Sequence, residues 1–142
     1  MQRRSFLKNT CNICLLGAAG YSLPLVLNGC KTASYSVYKT PVNGKTVQVP
    51  LSLFTTTTTQ FVRPNGWYRD IAVQKKEDGS YYALLLECTH QENALTPTSN
   101  GYHCSLHGSD FDKNGNVRKG PAEQSLTKYN TVIQENNLII YI

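Results

Sequence analysis

The chain has 142 residues, room for one domain and a short additional segment. Its formal net charge is +5, but Arg3, Arg4 and Lys8 supply three of those charges, and the rest of the chain is only about +2. The remaining basic and acidic residues are scattered singly or in pairs with no basic run, so nucleic-acid binding has little support.

The N-terminus comes first in chain order. Residues 2–8 read Gln-Arg-Arg-Ser-Phe-Leu-Lys, and Thr10–Leu27 is mostly apolar or small. A cationic head before a weakly apolar stretch is the build of an export signal. Arg3-Arg4 followed by Ser5-Phe6-Leu7-Lys8 resembles the twin-arginine signal, which serves proteins exported already folded. Leu27-Asn28-Gly29-Cys30 resembles a bacterial lipobox. That likeness implies cleavage before Cys30, a diacylglycerol on its thiol, and anchoring at a membrane on the periplasmic side. The competing reading is an uncleaved transmembrane anchor. Against it, Asn12, Ser22, Pro24 and Asn28 interrupt a stretch that needs about 20 apolar residues to span. Cys11 and Cys14 form a Cys-x-x-Cys, which elsewhere could be a redox pair, but here they fall inside the signal. The expected organisation is an export signal over 1–29, a tether over 30–45 and one domain over 46–142.

The domain reads as short strands separated by turn residues. Thr46–Val49 alternates polar and apolar. Trp67–Gln74 and Tyr81–Glu87 flank Lys75-Lys76-Glu77-Asp78-Gly79-Ser80, where Asp-Gly signals a hairpin. Tyr129–Gln134 and Leu138–Ile142 flank Glu135-Asn136-Asn137, a second hairpin. Thr55–Thr59 reads as an edge strand or loop, and the nine tyrosines as half-buried strand residues. No stretch after residue 30 sustains a 3.6-residue apolar period, so an all-β domain with little helix is expected.

The chemistry lies between the two hairpins. Cys88-Thr89-His90 is followed, thirteen residues on, by Cys104-Ser105-Leu106-His107. Two pairs of one Cys and one His make an S2N2 donor set, which suits zinc or iron–sulfur. Two cysteines in an exported protein also invite a disulfide reading, which the neighbouring histidines oppose. Structural zinc sites usually pair cysteine with cysteine and histidine with histidine at short spacing, whereas each pair here is mixed. Spacing alone leaves both metals open, with iron–sulfur ahead.

These residues resemble the Rieske 2Fe-2S family, whose pattern is Cys-x-His followed by Cys-x-x-His-Gly. The likeness runs on through Gly108-Ser109, Phe111-Asp112, Gly115, Gly120-Pro121-Ala122, Leu126 and Tyr129, and covers roughly residues 46–142. It implies a Rieske-like fold of short antiparallel sheets, with a cluster-binding subdomain formed by two loops at about 88–93 and 104–111. It also implies one 2Fe-2S cluster per chain, with Cys88 and Cys104 on the buried iron and His90 and His107 on the outer one. Two ferric ions, two sulfides, two thiolates and two neutral imidazoles sum to zero charge. Adding an electron is therefore easier than to a four-thiolate cluster. Gly108 and Ser109 are expected beside the cluster, Gly108 letting backbone N–H groups approach and Ser109 donating its hydroxyl to a sulfide. Gly120-Pro121-Ala122 resembles the loop that covers one side of it. His103 matches no ligand position and reads as a strand residue.

Two departures stand out. In quinol-oxidising members each loop has a further cysteine, and the two form a disulfide; Asn93 and Leu106 occupy those positions here. Phe111 stands where the family has a loop tyrosine. The expected function is single-electron transfer in a membrane-anchored exported protein, working with partners such as a cytochrome or an oxidoreductase subunit. The alternatives are a subunit of a quinol–cytochrome or molybdenum oxidoreductase, and a zinc-stabilised binding module. A complete ring-hydroxylating oxygenase is excluded, because only His103 is spare for its mononuclear iron.

Overall fold

The computed structural model describes residues Tyr35–Ile142; the expected export signal, with Cys30, lies outside the described residues. Twelve strands follow in order: β1 (Val37–Thr40), β2 (Val42–Asn43), β3 (Thr46–Pro50), β4 (Thr59–Pro64), β5 (Ile71–Lys75), β6 (Tyr81–Leu85), β7 (Thr96–Thr98), β8 (Gly101–His103), β9 (Asp110–Asp112), β10 (Val117–Lys119), β11 (Lys128–Gln134) and β12 (Asn137–Tyr141). A single 3-10 turn, Leu51–Phe54, is the helical element among the described residues. The expected all-β class is what the structure shows. Eight strands form one sheet in the order β1-β4-β5-β6-β11-β12-β3-β2, and β10-β9-β8-β7 form a smaller one.

Both expected hairpins form. Lys75 pairs with Tyr81 across the Asp78-Gly79 turn, and Gln134 pairs with Asn137 across Glu135-Asn136. Two stretches differ from the sequence reading. Trp67–Asp70 is a turn rather than the start of a strand: the Trp67 N–H bonds back to the Pro64 carbonyl at 3.0 Å, and β5 begins only at Ile71. Residues 37–43, given above to the tether, join the sheet. β1 runs parallel to β4, the one parallel pair among the described residues, and the Thr40 hydroxyl donates to the Gln48 carbonyl at 2.9 Å. Pro41, Asn43 and Gly44 break this stretch into pieces too short to show an alternation.

Strand periodicity explains how the interior is divided. Alternate residues of a strand point to opposite faces, so a strand can serve two cores only if both faces are covered. In β5, Ile71, Ala72 and Val73 are all fully buried. Ile71 and Val73 join a core with Val47, Val49, Val62, Leu138 and Ile140, while Ala72 faces a second core. β6 splits the same way, Ala83 into the first and Leu84 into the second. The second core holds Leu86, Leu95, Tyr102, Phe111, Ala122 and Leu126, together with Cys88 and Cys104. β5 and β6 are thus a wall between the main sheet's core and the core beneath the candidate site. Each fully buried Leu or Ile contributes about 1.5–3 kcal/mol.

The small sheet is packed tightly at Gly101, which faces β9 with φ +152°. A Cβ there would overlap the Phe111 carbonyl oxygen and come within 2.9 Å of the Asp112 Cα. Both are backbone atoms of a paired strand and cannot step aside. Gly101→Ala is expected to destabilise the domain by about 2–3 kcal/mol, read as a lower urea midpoint at unchanged slope.

Candidate metal centre

The alternation that builds β6 continues beyond it. Leu84, Leu86 and Cys88 are buried, while Leu85, Glu87 and Thr89 are half-buried. Cys88 is therefore carried inward by the same period that buries the two leucines. The extended chain ends there: Leu95 N–H bonds to the Leu86 carbonyl, and Glu87 bridges to Ala94, leaving Cys88–Asn93 as a loop. The second donor pair follows β8, where His103 pairs with Asp110 and leaves Cys104–Ser109 as the connecting loop.

The two loops share one construction. Cys88 N–H donates to the Asn93 carbonyl at 2.8 Å, and Glu92 N–H returns to the Cys88 carbonyl at 2.7 Å. Cys104 N–H donates to the Ser109 carbonyl at 2.8 Å, and Gly108 N–H returns to the Cys104 carbonyl at 2.9 Å. The residue four after each cysteine is left-handed: Glu92 with φ +50° and Gly108 with φ +79°. At Gly108 glycine adopts this left-handed backbone without the cost a side chain would bring. A left-handed non-glycine costs about 1–2 kcal/mol. Arg69, which sequence reasoning missed, holds Glu92 in place by donating from Nη2 to its carbonyl at 2.5 Å. Its Nε lies 3.2 Å from Glu87 Oε2, an ion pair out of line for a hydrogen bond.

These loops bring the four donors together in two tiers. Cys88 and Cys104 are both free thiols and each only 1% exposed. His90 and His107 are exposed, with ring centroids 5.0 Å apart and planes at 82°. Burial pushes the Cys104 thiol up. The Leu106 N–H, the Cys88 side chain, the His107 N–H and the Asn93 amide outweigh that and hold it below the ordinary thiol value. Such an environment favours thiolate, the form that binds metal. Two sulfur donors inside and two nitrogen donors outside fit a centre with two metal atoms better than a single tetrahedral ion.

Ser109 is fully buried, and its Oγ accepts the Ala122 N–H at 3.0 Å, which leaves the hydroxyl proton free to be donated. Ala122 belongs to the Gly120-Pro121-Ala122 segment, which is also tied to the first loop: the Thr89 hydroxyl donates to the Gln124 carbonyl at 2.6 Å. His103 ends β8 and pairs through Nδ1 with Asp110 Oδ1 at 2.6 Å, apart from the donor set. An open hollow of about 370 Å³ lined by Trp67, Tyr68, Arg69, Leu85, Glu87 and Tyr129 includes none of the four donors.

Comparisons with known proteins show the family and the fold. Residues 39–130 match the family described as the Rieske 2Fe-2S domain. The cytochrome b6-f complex iron-sulfur subunit of Nostoc punctiforme is 32% identical over 73 residues, covering 49% of this chain and 40% of that protein. The cytochrome b6-f complex iron-sulfur subunit 1 of the Cyanophora paradoxa cyanelle is 34% identical over 71 residues, covering 46% of this chain and 29% of that one. The chain thus spans well under half the length of these relatives. In fold it is similar to the cyanobacterial plasma membrane Rieske protein PetC3 from Synechocystis PCC 6803, with a TM-score of 0.53 at 23% identity, over 66% of this chain and 95% of that one.

The Ser109–Ala122 contact gives a test independent of metal. Ser109→Ala leaves a buried N–H without an acceptor and should cost about 1–3 kcal/mol, measured by urea denaturation of the metal-free protein against the parent.

Proposed function

Because the chain belongs to the Rieske 2Fe-2S family and carries that family's cluster, we propose that it transfers single electrons, with Cys88, His90, Cys104 and His107 as the ligands. When bound, the cluster accepts and returns one electron. The observation that carries the ligand assignment is the split in exposure: both thiols are 1% exposed, whereas both imidazoles face solvent. Cys88 and Cys104 would hold one iron through thiolate from within the second core, among the buried Leu86, Leu95 and Phe111. His90 and His107 would hold the other iron through imidazole and, being exposed, would present it to a redox partner. Leu106, 53% exposed between Cys104 and His107, gives that tip an apolar contact for a partner. Ser109 anchors Ala122 through its oxygen, and its hydroxyl proton would be available to a cluster sulfide.

The partners are redox proteins at a membrane, and the chain reaches them through its N-terminus. Arg3-Arg4 direct export of the folded protein to the periplasmic side, and the lipid on Cys30 anchors it there, with residues 30–36 leading into the domain. A second reading, as a subunit of a quinol–cytochrome complex, is favoured by the relatives, which are named as cytochrome b6-f complex subunits. Co-purification with a cytochrome b from mild detergent would select it over a free carrier.

Two experiments test this. The purified protein is expected to be coloured, with about two irons and two acid-labile sulfides per chain. Ala in place of Cys88, Cys104, His90 or His107 should abolish that content; a variant that keeps it in full removes its residue from the ligand set. For the anchor, Arg3→Lys with Arg4→Lys should retain the precursor in the cytoplasm, and Cys30→Ala should abolish lipid labelling. Membrane fractionation unchanged in Cys30→Ala would replace the lipid anchor with an uncleaved one.

A further inference from the structure

We propose that Asn93 is a positioning residue for the cluster: its side-chain amide donates a hydrogen bond to the Cys104 sulfur, joins the two loops, and raises the reduction potential. The inference rests on the ligand assignment above, since it makes Cys104 a cluster thiolate.

Asn93 is bound to both halves of the site. Its backbone carbonyl accepts the Cys88 N–H at 2.8 Å, and its Nδ2 lies 3.9 Å from the Cys104 Sγ, within reach of an N–H donor to sulfur. The same Nδ2 donates to the Ala94 carbonyl at 3.3 Å. That second contact determines which way the amide faces. An Asn amide carries two N–H protons on one side and an acceptor oxygen on the other. With Nδ2 inward, one proton goes to the Ala94 carbonyl and one to the sulfur. Turned over, Oδ1 would face two acceptors at once. The chemistry of the neighbours therefore selects the donor orientation.

The backbone makes this reach possible. Glu92, left-handed at φ +50° and held through its carbonyl by Arg69, turns the chain so that Asn93 returns beside Cys88 and its side chain crosses to the other loop. No backbone hydrogen bond joins residues 88–93 to residues 104–109 among the described residues, so the Asn93 amide is a direct polar tie between them.

The redox consequence follows from charge. Reduction adds negative charge to the cluster and its sulfurs, and a donor aimed at one of those sulfurs stabilises the reduced form more than the oxidised form. Hydrogen bonds to the sulfurs are among the settings of such potentials.

The test is a potential, measured by protein-film voltammetry on loaded protein. Iron and sulfide are assayed first: a parent without about two of each overturns the ligand reading itself, separately from this inference. Asn93→Leu keeps the side chain's shape and removes the donor. It should shift the reduced-to-oxidised ratio three- to tenfold toward the oxidised form, tenfold being about 59 mV for one electron. Asn93→Asp also keeps the shape, replaces the donor with a charged acceptor, and should fall further. The exchangeable-deuteron coupling seen by pulsed EPR of the reduced protein should weaken in both. A loaded Asn93→Leu with the parent's potential and an unchanged deuteron coupling overturns the proposal. If Asn93→Leu does not load, Asn93→Asp at the parent's potential does the same.

Discussion

Every feature of the site depends on one constraint: β5 and β6 must be buried on both faces. An antiparallel pair usually keeps one face to water. Here Ile71, Val73 and Ala83 turn to one core, while Ala72, Leu84 and Leu86 turn to the other. Because the side-chain period is two, a slip of one residue would exchange the two sets. Cys88 is the next member of the Leu84–Leu86 series, so its place inside is settled by the register of a strand that ends three residues earlier. Asp70 reinforces that register from just ahead of β5, its carbonyl accepting the Leu86 N–H at 2.8 Å. The Asp70 carboxylate is itself held by Arg63 at 2.6 Å and by the Tyr35 hydroxyl at 2.9 Å. A carboxylate so nearly buried contributes little net stability, but left unpaired it would cost several kcal/mol. The trio therefore fixes geometry more than it adds strength.

Past that wall, the chain solves the same problem twice. Each loop begins with a buried cysteine whose N–H and carbonyl are both satisfied within six residues, so the backbone can enter a dry core without unpaired groups. Each needs a left-handed residue to close. Gly108 adopts it freely, whereas Glu92 does so only under tertiary hold. This asymmetry explains why sequence motifs mark the second loop so much more clearly. His-Gly-Ser is a visible signature; Glu92-Asn93 is not.

Much of the fold and most of the donor set were legible because they rest on local rules. The Asp78-Gly79 and Glu135-Asn136 hairpins follow from turn chemistry, and the two mixed Cys–His pairs from donor type and spacing. What stayed hidden depends on partners distant in sequence. Residues 37–43 are strand only because β4 and β3 accept them. Trp67–Asp70 carries strand-like residues but is drawn into a turn behind Gly66, whose φ is +85°. Arg69 looks like an ordinary surface cation until the fold sets it against the Glu92 carbonyl, 23 residues on. Gly108 was readable as a glycine position, and its left-handed backbone, φ +79°, gives one physical reason for it.

The two-tier arrangement also has an electrostatic logic on the proposed assignment. A thiolate buried alone would be expensive; the structure places N–H donors around Cys104, and a bound cluster would add the metal charge that offsets the rest. The surface tier carries imidazoles, which bind iron as neutral ligands. A redox partner that settles on His90, Leu106 and His107 then strips water from two neutral rings and one leucine, not from an ion. Desolvating such a surface costs far less than desolvating a carboxylate or thiolate. Contact can therefore be close enough for electron passage yet weak enough to release. The charged donors sit where no partner has to dehydrate them, and the second core beneath β6 is what keeps them there.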